Sequence, residues 1–215
     1  MNTNYGLWVR DGAAGIGTIT YYEPSTEKFA ALGHGIVDAD TNKLISIESG
    51  KLVTSNLIKI QKGENGNPGQ IKGTITNESA IGKVYSNTDF GIFGVLENKT
   101  MLNIDQNNLI PVANREEIKK GPAKVVLTLE SGIRKEYGIE ITSINKNNNI
   151  NNKSMQIKVT DQNLLDITGG IIQGMSGAPI IQDGKFVGAI THVFVNEPTK
   201  GYAVFGDLML KAQNK

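Results

Sequence analysis

Ser176 lies in the run Gly174-Met175-Ser176-Gly177-Ala178-Pro179. Glycines around a serine permit a tight turn that exposes the hydroxyl. They also let the N–H groups of Gly174 and Ser176 aim at one point, as an oxyanion hole requires. A serine hydroxyl is a poor nucleophile at neutral pH and needs a base, usually histidine. The chain has two histidines. His34 stands between Gly33 and Gly35 at the end of an apolar run, where small flanks leave the imidazole open to a substrate. His192 follows Ser176 by only 16 residues (192 − 176), too few for the nucleophile-first order of hydrolases with a Gly-x-Ser-x-Gly elbow, and Ala178 breaks that elbow as well. The order His34 then Ser176 is that of serine peptidases built from two β-barrels.

The residues after Ser176 extend the pattern. Pro179-Ile180-Ile181 reads as a strand, Asp183-Gly184-Lys185 as a turn, and Gly188-Ala189-Ile190-Thr191 as a second strand. In chymotrypsin-like peptidases a hydroxyl residue follows the nucleophile by a similar interval, and Thr191 follows Ser176 by 15 (191 − 176). The expectation is that Thr191 hydrogen-bonds the acid of the catalytic triad. His192 and Val193 then fall on the edge strand that pairs with substrate backbone. Gly170, six before Ser176, brings no charge to the floor of a specificity pocket. For the acid, Asp89 opens the apolar run Phe90-Gly91-Ile92-Phe93 and follows His34 by 55 (89 − 34), which suits the same barrel. Asp161 precedes Ser176 by 15 (176 − 161) and would belong to the second barrel.

The elements that must position these groups are strands. Glycine is abundant at 25 of 215 residues, and it punctuates short runs of Ile, Val, Thr, Tyr and Phe. Such runs every 8–12 residues predict an all-β sandwich or barrel. Expected strands include Gly15 to Tyr22, Phe29 to Leu32, Lys43 to Ile47, Ser55 to Gln61, Gln70 to Thr76, Ile92 to Leu96, Ala123 to Leu129 and Tyr137 to Ile144. Later ones are Met155 to Val159, Pro179 to Gln182, Phe186 to Phe194 and Tyr202 to Phe205. Helical patterning is confined to Arg115 to Lys120 and Asp207 to Gln213. Asn145 to Asn152, nearly all Asn and Lys, reads as a polar loop, and Trp8 as a core residue. We expect one peptidase domain over 1–215, with two barrel halves meeting near 111–122.

Composition closes several routes. Lys plus Arg is 22 and Asp plus Glu is 21, a net charge of +1, so no clustered positive field marks a nucleic-acid binder. The absence of cysteine excludes disulfides, thiolate metal sites and a cysteine nucleophile. Asp38-Ala39-Asp40-Thr41-Asn42 begins like a calcium loop, but Lys43 stands where that loop needs Gly, so a polar turn is expected. No cofactor and no metal is called for.

The whole chain resembles the SpoIVB peptidase family of stage IV sporulation serine peptidases. The resemblance rests on Gly15-Ile16-Gly17-Thr18, Ala31-Leu32-Gly33-His34-Gly35-Ile36 and Gly170 through Gly177, and on Thr191 to Asn196 and Pro198 to Tyr202. It implies a chymotrypsin-like double β-barrel with Ser176 as nucleophile and His34 as base. It also implies that Asp161 fills the functionally important acidic position; strand order points to Asp89 instead, and we follow the resemblance in expecting Asp161 to be the catalytic acid. By the same resemblance the protein acts outside the cytoplasm, between mother cell and forespore. There it would cut itself and a regulator of an intramembrane protease. Family members usually add a membrane anchor and a PDZ domain, and this chain reads as the peptidase domain alone. Its membrane contact would come only through such segments. The other class of reading is a catalytically dormant β-barrel module that captures an extended peptide on the His192 strand.

Overall fold

A computed structural model describes residues 13–75, 79–98, 109–129, 133–147 and 152–214. Trp8 and half of the Asn-rich loop, residues 148–151, lie outside them. In the first half, β1 (Ile19–Glu23), β2 (Lys28–Ala31), β3 (Gly50–Leu52), β6 (Gly82–Thr88) and β7 (Gly91–Leu96) form a five-stranded antiparallel sheet in the order β1-β2-β7-β6-β3. Between them, β4 (Ser55–Gln61) and β5 (Gln70–Ile75) make a separate hairpin. In the second half, β8 (Gly121–Thr128), β9 (Arg134–Ile144), β10 (Met155–Val159), β11 (Pro179–Gln182), β12 (Lys185–Val193) and β13 (Lys200–Phe205) close into a barrel, ordered β10-β13-β12-β11-β8-β9. The protein is mostly β, as the strand spacing predicts. Only the second half closes among the described residues.

Period-2 patterning explains why these segments are strands. In β8 the side chains of Ala123, Val125 and Leu127 are buried while those of Pro122, Lys124 and Thr128 are exposed. β10 alternates in the same way, with Met155, Ile157 and Val159 inward. The barrel core also takes in Ala30 and Phe93 from the first sheet, so both halves share apolar packing. Helix α2 (Gly206–Gln213) caps that junction with Leu208, Met209 and Ala212 buried. Tyr21 Oη donates to Gln213 Oε1 at 2.9 Å, tying β1 to α2. Arg115 Nε reaches both Asp207 oxygens, at 2.9 and 3.0 Å, and its guanidinium lies 5.1 Å from the Phe205 ring centre. The segment after residue 109 runs along β12, where Phe186 donates to Pro111 O and accepts from Ala113 N–H.

Five elements depart from the sequence reading, and two of them, β3 and β6, are strands it did not expect. The helical signal at Arg115 to Lys120 yields only a 3-10 turn, Arg115–Glu117. Lys43 to Ile47 is no strand; Leu44 makes a single bridge to Val37, and Leu44 is itself exposed, so nothing covers a second face there. A short helix, α1 (Gln162–Thr168), follows β10 where the sequence reading placed no helix. The Asp38 region is the polar turn its composition predicts, with Asp38 Oδ1 accepting from the N–H groups of Asp40 and Thr41.

Candidate active site

His34, Ser176, Thr191 and His192 lie where the two halves meet, linked by the His34–His192 ring contact, the Ser176–Thr191 hydrogen bond and the packing of Gly33 on Thr191. His34 follows β2 through a turn in which Leu32 (φ 71°) and Gly33 (φ 69°) are both left-handed. A non-glycine residue in that region marks a turn held by its surroundings. Gly33 faces the other half: a Cβ there would sit 3.2 Å from Thr191 Cγ2 and 3.3 Å from Ile190 O. Asn87 holds the far side of the His34 loop. Its Nδ2 donates to Ile36 O at 2.7 Å and Ile45 O at 2.9 Å, and its Oδ1 accepts from Ile36 N–H at 2.8 Å.

Ser176 is placed by backbone contacts that only glycine permits. Gly177 has φ 90°, and a Cβ there would strike Thr18 O and Leu32 N. Gly177 N–H donates to Ile190 O at 2.8 Å, and Ile190 N–H donates to Ala178 O at 3.0 Å. From the first half, Thr18 N–H donates to Ser176 O at 2.9 Å, and Thr18 Oγ1 donates to Gly174 O at 3.1 Å. Thr18 thus stitches the Ser176 loop to the sheet that carries His34.

The two N–H groups expected to form the oxyanion hole are set by their peptide planes. Gln173 O accepts from Ile71 N–H at 2.8 Å, and Met175 O accepts from Ala178 N–H at 2.9 Å. In a trans peptide the N–H points opposite to the C=O. Gly174 N–H and Ser176 N–H are therefore turned away from those anchors, and neither bonds a described residue.

The side chains rest in a particular arrangement. Ser176 Oγ donates to Thr191 O at 3.0 Å. His34 Nδ1 lies 2.9 Å from Gly35 O, which makes Nδ1 the protonated nitrogen and leaves a lone pair on Nε2. The His34 and His192 rings are 5.1 Å apart, tilted by 38°. Burial, then the positive charge of a protonated His34, then Lys153 push His192 down to about 4, so it is neutral at physiological pH. Its Nδ1 is buried without a hydrogen-bond partner.

The two candidate acids are separated. Asp161 caps α1: its Oδ1 accepts from Leu164 N–H at 3.1 Å and its Oδ2 from Gly138 N–H on β9 at 3.2 Å. Neither oxygen is bonded to His34. Asp89 lies on the β6–β7 turn, which packs against the His34 loop. There Gly91 abuts Ala31 O and lies near Gly33 N, and Gly35 abuts Thr88 O. The Thr191 hydroxyl meets neither acid. It donates to Asn152 O at 3.0 Å, while Asn152 Nδ2 donates to Asp89 O at 3.1 Å. Asn152 therefore bridges the Asp89 turn and the Thr191 strand. Val193 continues that strand, paired with Gly201. Gly170 sits against Pro198 O, and its carbonyl accepts from the buried Thr168 hydroxyl at 2.6 Å, so no charge reaches that point from residue 170. Sequence reasoning missed Thr18, Asn87 and Asn152. The first stands in the Gly-x-Gly-Thr run and the second two residues before Asp89. The third is hidden in a low-complexity loop.

The family model described as SpoIVB peptidase S55 matches residues 1–210. No curated protein matches the sequence. Among solved structures, the chain is similar to an HtrA-type protease, AlgW with decapeptide, at 13% identity and TM-score 0.41, covering 76% of this chain and 50% of that one. It thus spans half the length of that relative. It is also similar to the Rv3671c protease from M. tuberculosis in its active form, at 13% identity and TM-score 0.42, covering 97% of this chain and 92% of that one.

Proposed function

The chain belongs to the SpoIVB peptidase S55 family, and from that premise we propose that it is a serine endopeptidase with Ser176 as nucleophile and His34 as base. What supports the reading is that the Ser176 and His34 segments meet at Thr191: Ser176 Oγ donates to Thr191 O, and Gly33, next to His34, packs against Thr191 Cγ2. Beside them lie two N–H groups without acceptors. For reaction, the Ser176 hydroxyl turns from Thr191 O to His34 Nε2, which removes its proton as Oγ attacks the scissile carbonyl. Gly174 N–H and Ser176 N–H then stabilise the oxyanion. His34 protonates the leaving amine, and water resolves the acyl-enzyme. Removing one such oxyanion donor typically lowers the rate by about 10²–10³-fold, so the freedom of both N–H groups matters.

Of the two candidate acids we favour Asp89, whose exposed side chain lies on the turn that packs against the His34 loop. Asp161, which the family resemblance implies, is committed to the cap of α1 and would act by holding the barrel segments around the specificity side. His192 and Val193 would receive the substrate backbone. By family, the substrates would be the protein itself and a regulator of an intramembrane protease, in sporulation signalling outside the cytoplasm. One observation favours a second reading, a dormant peptidase. Ser176 is hydrogen-bonded to Thr191 O instead of to His34, so a partner or further domain would have to release it.

The deciding experiment is fluorophosphonate labelling with mass-spectrometric peptide mapping, beside Ser176→Ala and His34→Ala. Labelling at Ser176 and peptide cleavage, both lost in the variants, are the expected result. Labelling without cleavage would support the dormant reading. Cleavage that survives Ser176→Ala would refute the assignment.

A further inference from the structure

The chain has two histidines, and the fold brings both to one spot. Metal-ligating histidines usually donate the other ring N–H to a backbone carbonyl or carboxylate, which fixes the tautomer. His34 already does so through Nδ1 and Gly35 O, leaving Nε2 as a ligand. His192 has a buried Nδ1 that bonds no protein group, which leaves it open to a ligand. The spacing fits as well. Two imidazoles on one tetrahedral zinc, with Zn–N bonds of about 2.0–2.1 Å, have ring centres about 5 Å apart. The observed separation is 5.1 Å.

We propose that the cleft holds a divalent transition-metal ion of the Zn2+ class between His34 Nε2 and His192 Nδ1. Water completes its coordination, and the bound ion blocks the nitrogen that must accept the Ser176 proton. The inhibitory half of this rests on the peptidase reading; the binding half does not. Neutral imidazoles select zinc-like ions over the oxygen-seeking Ca2+ and Mg2+. Among the described residues no cluster of three or more imidazole and carboxylate groups exists. With two protein ligands and Lys153 nearby, binding is expected to be far weaker than at a four-ligand structural zinc site. That is weak enough for reversible control.

The test uses the full chain labelled with 15N-histidine, which gives two imidazole spin systems. Titration with ZnCl2 should shift both rings together and saturate at one equivalent, while CaCl2 and MgCl2 leave them unmoved. His192→Phe and His34→Phe, each checked for an intact amide spectrum, should weaken binding at least about tenfold. Ser176→Ala should bind like the wild type. Fluorophosphonate labelling of the wild type should slow in zinc and recover with chelator. The proposal is overturned if neither ring shifts at millimolar zinc, if only one shifts, or if His192→Phe binds unchanged. A wild type that binds zinc but never labels would defeat the peptidase reading and leave the metal site standing.

Discussion

Replacing Asp161 separates a cap from a catalytic acid. In the structure its carboxylate accepts from Leu164 N–H and Gly138 N–H, at 3.1 and 3.2 Å. Asp161→Ala removes the N-cap, worth about 0.5–2 kcal/mol. It also leaves the half-buried Gly138 N–H unpaired, at the low end of about 1–3 kcal/mol. The sum is about 1.5–3 kcal/mol. For a domain of this size that lowers Tm by roughly 3–12 °C, at about 2–4 °C per kcal/mol. Asp161→Asn keeps a good cap oxygen for Leu164 but turns an NH2 toward one donor, so about 1 kcal/mol is lost. A triad acid behaves otherwise: Asp→Asn there leaves the fold intact and reduces kcat by roughly 10⁴-fold. We therefore expect Asp161→Asn to shift Tm by a few degrees and to keep kcat/KM within about tenfold of wild type. Asp89→Asn should leave Tm unchanged and lower kcat/KM by at least about 100-fold. The assay pairs scanning calorimetry with hydrolysis of the peptide found by mapping. The reasoning is refuted if Asp161→Asn loses activity as a triad acid does while its Tm stays at the wild-type value.

Three further outcomes follow from the packing and charge around the cleft. His192 has a folded-state value near 4 against about 6.5 unfolded, so the unfolded chain binds the extra proton between those pH values. Its contribution is therefore fully present above about pH 6.5 and is lost as pH falls toward 4. After discounting for partial exposure it amounts to about 1–2 kcal/mol, and urea melts of wild type against His192→Gln from pH 7.5 to 4 should converge by that amount. Gly177→Ala adds a methyl against Thr18 O and Leu32 N, so it should destabilise by more than about 3 kcal/mol. Gly184→Ala, equally left-handed but with open space around it, should lose only about 1 kcal/mol by the same melts. Asn87→Ala deletes three bonds to the His34 loop and should lower both Tm and kcat/KM, with a second-site change at an exposed Lys83 as the neutral control.

Local chemistry made much of this protein readable in its residues. Period-2 burial marks β8 and β10, because a strand half-sunk in a core must alternate. The Gly-flanked Ser176 and His34 stand out because tight turns and close backbone approach demand residues without a Cβ. The same logic would have found α1, since Asp161 before Gln162 and Gly169 after Thr168 are its start and stop signals; seven residues were too few for helical periodicity to register. Other features exist only in three dimensions. Asp89 and Asp161 look equally suited along the chain, yet one lies on the turn beside His34 and the other caps a helix, because strand pairing decides which loops meet. Asn152 joins the Asp89 turn to Thr191 from a loop whose composition suggests nothing. The facing of His34 and His192, 158 residues apart (192 − 34), follows from the seating of Gly33 and Gly177 between the two halves. Hydrophobic pattern and turn chemistry act over a few residues and are written in the sequence. Which side chains face each other across the cleft depends on the closure of the whole barrel against the sheet.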